Sequence, residues 1–148
     1  MSLHSHSCLF ACLLVRSSIH SFIRFNPPID DCLGLAVDLW SEVTVERADK
    51  FEIVAEGEGA SQMPKDKSNF MVVGVKAAFD AAKKPMPTLK YHVVSRIPYA
   101  RGLGSSSAAI VAGIIAGLIL AGHRLPCWGS EALLQIAAGI EVRQCVVV

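Results

Sequence analysis

The chain has 148 residues, 52% of them hydrophobic, which is enough for one domain with a real core. Its 14 basic and 13 acidic side chains leave a formal charge of +1, so there is no cationic stripe to bind a nucleic-acid backbone or an anionic bilayer. The five cysteines, Cys8, Cys12, Cys32, Cys127 and Cys145, are odd in number and lack Cys-x-x-Cys spacing, which argues against a disulfide framework or a zinc site and fits a reducing compartment.

Residues 1–29 contain no Asp or Glu, carry Arg16 and Arg24, are rich in serine and hold an apolar patch from Leu9 to Val15. This composition suits an organelle transit peptide, and the patch also suits a weak secretory segment. Ser-Ile-His-Ser-Phe-Ile-Arg-Phe, residues 18–25, equally suits an ordinary first strand. His4, His6, Cys8 and Cys12 lie near one another, but their spacing matches no metal-ligand pattern.

From Leu33 onward apolar residues recur at strand spacing, over residues 37–46 and again over 50–56, and the expectation is two strands paired with each other. Residues 57–67 read as a polar turn region. Ser68 or Asn69 can cap a following helix whose buried stripe would be Val72, Val75, Phe79 and Ala82. Lys83 and Lys84 suit the negative end of that helix, and Pro85 and Pro87 forbid its continuation. A third strand follows, with Leu89, Tyr91 and Val93 on one face.

That strand runs into Pro-Tyr-Ala-Arg-Gly-Leu-Gly-Ser-Ser-Ser-Ala-Ala, residues 98–109, and a helix from about Ser106 to Ala121 runs out of it. Strand, glycine loop and helix together suit an anion. Gly102 and Gly104 permit positive φ and close approach of backbone amides, and the serines add hydroxyl donors where the free N–H groups of a helix start converge. The Gly-x-x-x-x-Gly-Lys-Ser/Thr pattern is absent, so this is not a Walker A loop. Two readings of the next run stand side by side. Ala108 to Gly122 has no polar side chain, and Gly113-Ile-Ile-Ala-Gly117 matches the spacing of packed transmembrane helices. The run falls short of the ~20 residues of a span, however, and the same small residues let a buried helix lie close on a sheet. A last helix starts near Ser130 or Glu131.

The 98–109 stretch resembles the ATP-binding motif of the GHMP small-molecule kinases, and from about Asp31 to Glu141 the chain is most similar to the homoserine kinases among them. Asp-Cys-Leu-Gly-Leu-Ala-Val-Asp-Leu, residues 31–39, carries that likeness, and the Gly-Glu-His signature typical of mevalonate and galactose kinases is missing. The resemblance implies an α+β fold, the GHMP kinase N-terminal domain, similar to domain 2 of ribosomal protein S5 but incomplete. It implies ATP and Mg²⁺ as cofactors and L-homoserine as the substrate, phosphorylated on its hydroxyl on the way to threonine. By the same resemblance, Pro98, Tyr99, Ala100, Arg101, Gly102, Leu103, Gly104, Ser105, Ser106, Ser107 and Ala108 would bind ATP, together with Asn69. Ser106, or its neighbour Ser105, and Glu141 would ligate Mg²⁺, and Asp31 would bind the homoserine amine. Taken as plain structure, Asp31 is a loop carboxylate, Asn69 a helix cap, Glu141 a solvent-facing helix residue and Arg101 a surface charge.

The expected organisation is a divergent segment 1–29, a kinase domain 30–141 and an unrelated tail 142–148. Phe-Asn-Pro-Pro-Ile-Asp stands where the family has Asn-Leu-Gly-Pro-Gly-Phe, and Val142 to Val148 stand where Gly-His-Pro-Asp-Asn would follow Glu141. With the family's second half absent, the expectations are impaired activity, exposed apolar surface, and a homodimer or a full-length kinase as protein partner. The alternative is a nucleotide-binding fragment without turnover. The compartment expected is the cytoplasm, or a plastid or mitochondrion if residues 1–29 act as a transit peptide.

Overall fold

The computed structural model describes residues 12–13, 19–22, 34–123 and 129–145. In chain order they form β1 (Cys12–Leu13), β2 (Ile19–Phe22), β3 (Gly34–Val37), β4 (Ser41–Arg47), β5 (Glu52–Gly57), α1 (Phe70–Ala81), β6 (Leu89–Ser95), α2 (Ser105–Leu120) and α3 (Ser130–Cys145). The metal-capable group His4, His6 and Cys8 lies outside the described residues, as does Asp31.

Strand β6 organises the sheet, because it alternates Leu89, Tyr91, Val93 and Ser95 on a buried face with Lys90, His92 and Val94 on the other. The strand order is β1-β4-β6-β5, with β4 antiparallel and β5 parallel to β6. The expected direct pairing of the strands near 37–46 and 50–56 is therefore corrected: β6 lies between them. Two features explain the difference. The link after Arg47 has no tight hairpin signal, and the Ala48 amide bonds to the Thr88 carbonyl just before β6 instead. The expected 37–46 strand is also two strands. β3 ends at Val37 and pairs with β2, and a bend at Asp38 precedes β4.

Helices α1 and α2 cover one face of the sheet. Val43, Val45, Ile53, Leu89, Tyr91 and Val93 meet Met71, Val72, Val75 and Phe79 from α1 and Ala112 and Ala116 from α2. Of the stripe expected on α1, Val72, Val75 and Phe79 are buried, and Ala82 is the half-buried C-cap. Lys83, at φ 53°, closes α1: its amide bonds to the Asp80 carbonyl and that of Lys84 to the Phe79 carbonyl. The Lys84 ammonium serves the other helix, donating to the Ala121 carbonyl at the end of α2 at 2.5 Å.

The glycines of α2, Gly113 and Gly117, face α1 rather than the sheet. A Cβ on Gly113 would lie 2.2 Å from the Met71 carbonyl oxygen, and one on Gly74 2.4 Å from that of Ile110. The Gly-x-x-x-Gly spacing thus serves close helix pairing over a sheet, and no helix among the described residues is long and apolar enough to cross a membrane. α3 forms a third layer, with Leu133, Ile136, Ala137 and Ile140 against Ala78, Ile110, Ile114 and Leu118. It continues to Cys145, so no structural break falls at the boundary expected after Glu141.

The apolar exposure expected of this chain is confined, among the described residues, to Val111 and Leu134 as large hydrophobics. The outer face of the sheet is polar: Lys90 pairs with Glu52 at 2.9 Å and His92 with Glu56 at 2.9 Å.

Candidate nucleotide site

Between β6 and α2 the chain reverses through the glycine loop, and both of its ends are tied down. At the entry, the Arg96 amide bonds to the Trp40 carbonyl, and the guanidinium lies 3.5 Å from the Trp40 ring centroid and 3.7 Å from Glu42. At the exit, half-buried Leu103 packs with Ile97 and Ala108. Between these anchors φ is positive at Ala100 (55°), Gly102 (70°) and Gly104 (70°) and not at the residues separating them. Such alternation turns successive amides toward a common point, where an anion can accept from several at once. The positive φ expected for both glycines is what the structure has. A Cβ on Gly102 would meet nothing within 4 Å, so the loop's outer side is open.

Gly104 is also the N-cap of α2, and no side chain caps that helix. Its first amides, on the three serines, are therefore unclaimed by a cap and point toward the loop with the positive end of the helix dipole. The expected start at Ser106 moves by one residue, to Ser105.

Beside the loop lies a cavity of about 300 Å³. Its floor is Ser41, Val43, Val93 and Ser95 of the sheet, and its sides are Met63 and Pro64, the start of α1, the loop at Ile97, Tyr99 and Ala100, and the first residues of α2. Both α1 and α2 begin at this cavity. The lining is mainly apolar, with hydroxyls at a few points, which is the usual make-up of a small-molecule site. Ser95 is buried and its hydroxyl lies 3.3 Å from that of Ser41.

Asn69 lines the cavity and is 3% exposed. Its Oδ1 accepts from the Met71 amide at 3.0 Å and its Nδ2 donates to the Pro64 carbonyl at 2.8 Å. It is thus the cap of α1 and also the tie that holds the 57–69 connection against the helix start. Ser68, the other cap candidate, binds Asp66 through both its amide and its hydroxyl, and these bonds hold the Asp66 carboxyl below its usual value.

Glu141 comes from α3 and is half-buried, and its carboxylate accepts a hydrogen bond from the Ser107 hydroxyl at the start of α2. The solvent-facing alternative for Glu141 does not hold. Ser105 and Ser106 line the cavity, and Ser107 is the serine that meets the carboxylate. Arg101 is exposed on the loop. The structure therefore gathers Asn69, Tyr99, Ala100, Ser105 and Ser106 about one cavity, and ties Glu141 to the adjoining Ser107, which does not line it. Sequence reasoning missed Ser41, Met63 and Ser95, which carry no local signal. It also read Gly57 and Gly59 only as a polar turn, although they adjoin the loop.

The profile of the GHMP kinases N terminal domain matches residues 69–146. The chain is 38% identical over 128 residues to a homoserine kinase of Desulfitobacterium hafniense, an alignment covering 86% of this chain and 42% of that protein. It is 40% identical over 115 residues to one of Clavibacter michiganensis, covering 75% of this chain and 35% of that protein. Among solved structures, the homoserine kinase of Cytophaga hutchinsonii superposes with a TM-score of 0.58 at 27% identity, over 70% of this chain and 33% of that one. A mevalonate kinase of Methanococcus jannaschii shares the fold, with a TM-score of 0.56 at 18% identity, over 73% of this chain and 38% of that one. The chain thus spans 42% or less of the length of these curated relatives. The match over 69–146, the α+β architecture and the loop geometry agree, and the chain belongs to the GHMP kinase N-terminal domain family.

Proposed function

We propose that this chain forms the nucleotide-binding domain, from about residue 30 through Glu141, of an ATP-dependent kinase whose acceptor is the side-chain hydroxyl of L-homoserine. The observation that carries the nucleotide part is the meeting of the positive-φ loop and the uncapped start of α2 beside one cavity, with the Glu141 carboxylate bonded to Ser107 in the first turn of that helix. The acceptor rests on the similarity to homoserine kinases.

In this reading the amides from Gly102 to Ser107 hold the phosphates, and the cavity takes the base and sugar. The Ser106 hydroxyl and the Glu141 carboxylate are hard oxygen donors that suit Mg²⁺ shared with phosphates, and Ser107 orients the carboxylate. When bound, the ion would neutralise phosphate charge. The homoserine oxygen forms a bond to the γ-phosphorus as the bond from that phosphorus to the bridging oxygen of ADP breaks, and the hydroxyl proton leaves to water. Positioning and charge stabilisation suffice for such a loose transition state, so no side chain need act as a strong base. Asp31, outside the described residues, is assigned to the homoserine ammonium by the family resemblance alone. The compartment proposed is the cytoplasm, with a plastid or mitochondrion as the alternative if residues 1–29 direct import.

Calorimetric titration with MgATP, followed by ADP release with and without L-homoserine, tests both parts. Saturable binding and homoserine-dependent release support the whole reading. Binding without release assigns a nucleotide-binding module, and no binding refutes the site.

A further inference from the structure

Gly57 to Gly59 leave β5 directly against the root of the glycine loop. The Glu58 amide donates to the Ser95 carbonyl at 2.8 Å, and a Cβ on Gly57 would lie 2.1 Å from that same oxygen. Gly59, at φ 70°, abuts the loop itself: a Cβ there would lie 2.4 Å from Tyr99 Cβ and 2.7 Å from Tyr99 Cγ. From this contact point the connection turns, with the Gln62 and Met63 amides both donating to the Gly59 carbonyl at 3.0 Å. That turn delivers Met63 and Pro64 to the cavity wall, and the Asn69 side chain holds Pro64 at the far end. One bare α-carbon therefore separates two walls of the cavity, the one carrying Met63 and the one carrying Tyr99.

We propose that Gly59 is a positioning residue for the glycine loop, its missing side chain setting how closely the β5–α1 connection seats against Tyr99 and hence the width of the nucleotide cavity. The proposal rests on the nucleotide reading above for its ligand and on the Gly59–Tyr99 contact for its mechanism. A methyl group at Gly59 cannot be absorbed by a flexible side-chain end, because what it meets is Tyr99 Cβ, which is rigidly tied to the loop backbone. The loop or the connection must shift, moving the two cavity walls apart, and a displacement near 1 Å in a positioning element costs on the order of tenfold or more.

The test compares Gly59→Ala, Tyr99→Gly and the double variant in the full chain, using two readouts. The first is the Kd for MgATP. The second, independent of any ligand, is the rate of limited tryptic cleavage after exposed Arg101, followed by mass spectrometry and compared with the global melting temperature. Gly59→Ala is expected to raise the Kd about tenfold and to speed cleavage after Arg101 out of proportion to any loss of melting temperature. In the Tyr99→Gly background the same substitution keeps only the backbone strain of an alanine at φ 70°, which lowers the melting temperature, and it is expected to change neither the Kd nor the Arg101 cleavage rate by more than about twofold once that lower melting temperature is allowed for. An unchanged cleavage rate at Arg101 with a lowered melting temperature would overturn the proposal, because Gly59 would then serve the fold alone. So would faster cleavage with an unchanged Kd, or a double variant as impaired as the sum of the single ones. Should Gly59→Ala not fold, the double variant must fold for the proposal to stand. If the unsubstituted chain binds no MgATP, the nucleotide reading fails by itself, and the cleavage rates still judge the Gly59–Tyr99 contact.

Discussion

The Ser107 hydroxyl donates a hydrogen bond to the Glu141 carboxylate, joining the first turn of α2 to the last helix across 34 residues of sequence. This pairing brings a negative charge to the positive end of α2, next to the loop proposed to hold phosphates. In the proposed site, a carboxylate placed there competes with an anionic ligand unless a cation lies between them.

Glu141→Gln keeps an acceptor for Ser107 and removes the charge. In the proposed site it should weaken MgATP binding about tenfold or more, while ATP without magnesium binds as well as before or better. Titrations with and without the metal measure the difference. Equal losses in both would show that Glu141 acts on the fold rather than on the cation.

Asn69 makes two bonds that no other side chain in the connection duplicates, one to Met71 and one to Pro64. Asn69→Ala should destabilise the chain by about 1–2 kcal/mol through the lost cap, plus a further contribution from the stranded Pro64 carbonyl. Asn69→Asp should recover the cap share alone. Urea midpoints at constant m-value separate the three proteins.

Tyr91 is fully buried among Phe51 and the strand core, and among the described residues its hydroxyl has no hydrogen-bond partner. Burial pushes its pKa up to about 12. A folded value above the unfolded one, near 10, means that the folded chain holds the proton more tightly. The associated stability is fully present below about pH 10 and is lost as pH rises toward 12. Tyr91→Phe should flatten this alkaline decline. At neutral pH it should leave stability unchanged or raise it by ~1 kcal/mol, since a buried unsatisfied hydroxyl is removed. Denaturation at pH 7 and at several alkaline pH values checks both statements.

Gly113→Ala places a methyl 2.2 Å from the Met71 carbonyl, where neither backbone can yield without separating α1 from α2. A loss of about 3 kcal/mol is expected, as for other forced overpacking. Gly139→Ala, where a Cβ meets nothing within 4 Å, should be neutral or stabilising by a few tenths of a kcal/mol to about 1 kcal/mol, and serves as the reference in thermal melts.

Periodicity and turn chemistry are local, and what depends on them was legible in the chain. The buried alternation of Leu89, Tyr91 and Val93, the α1 stripe through Val72, Val75 and Phe79, and the positive φ at Gly102 and Gly104 all follow from neighbours in sequence. The phosphate-binding role proposed for the loop and the family resemblance rest on that same local pattern.

Strand order, helix partners and the choice among adjacent serines depend on groups far apart in sequence, and only the tertiary structure decided them. β6 separates β4 from β5 because its two edges find partners that no local rule ranks. Gly113 serves α1 rather than the sheet because α1 and α2 share one layer. Ser105, Ser106 and Ser107 are equivalent as letters, but each residue turns a helix by ~100°, so once α3 docks only Ser107 faces Glu141. The contact of Gly59 with Tyr99 belongs to the same class. The sequence shows a glycine, and the fold supplies the neighbour that makes its missing side chain matter.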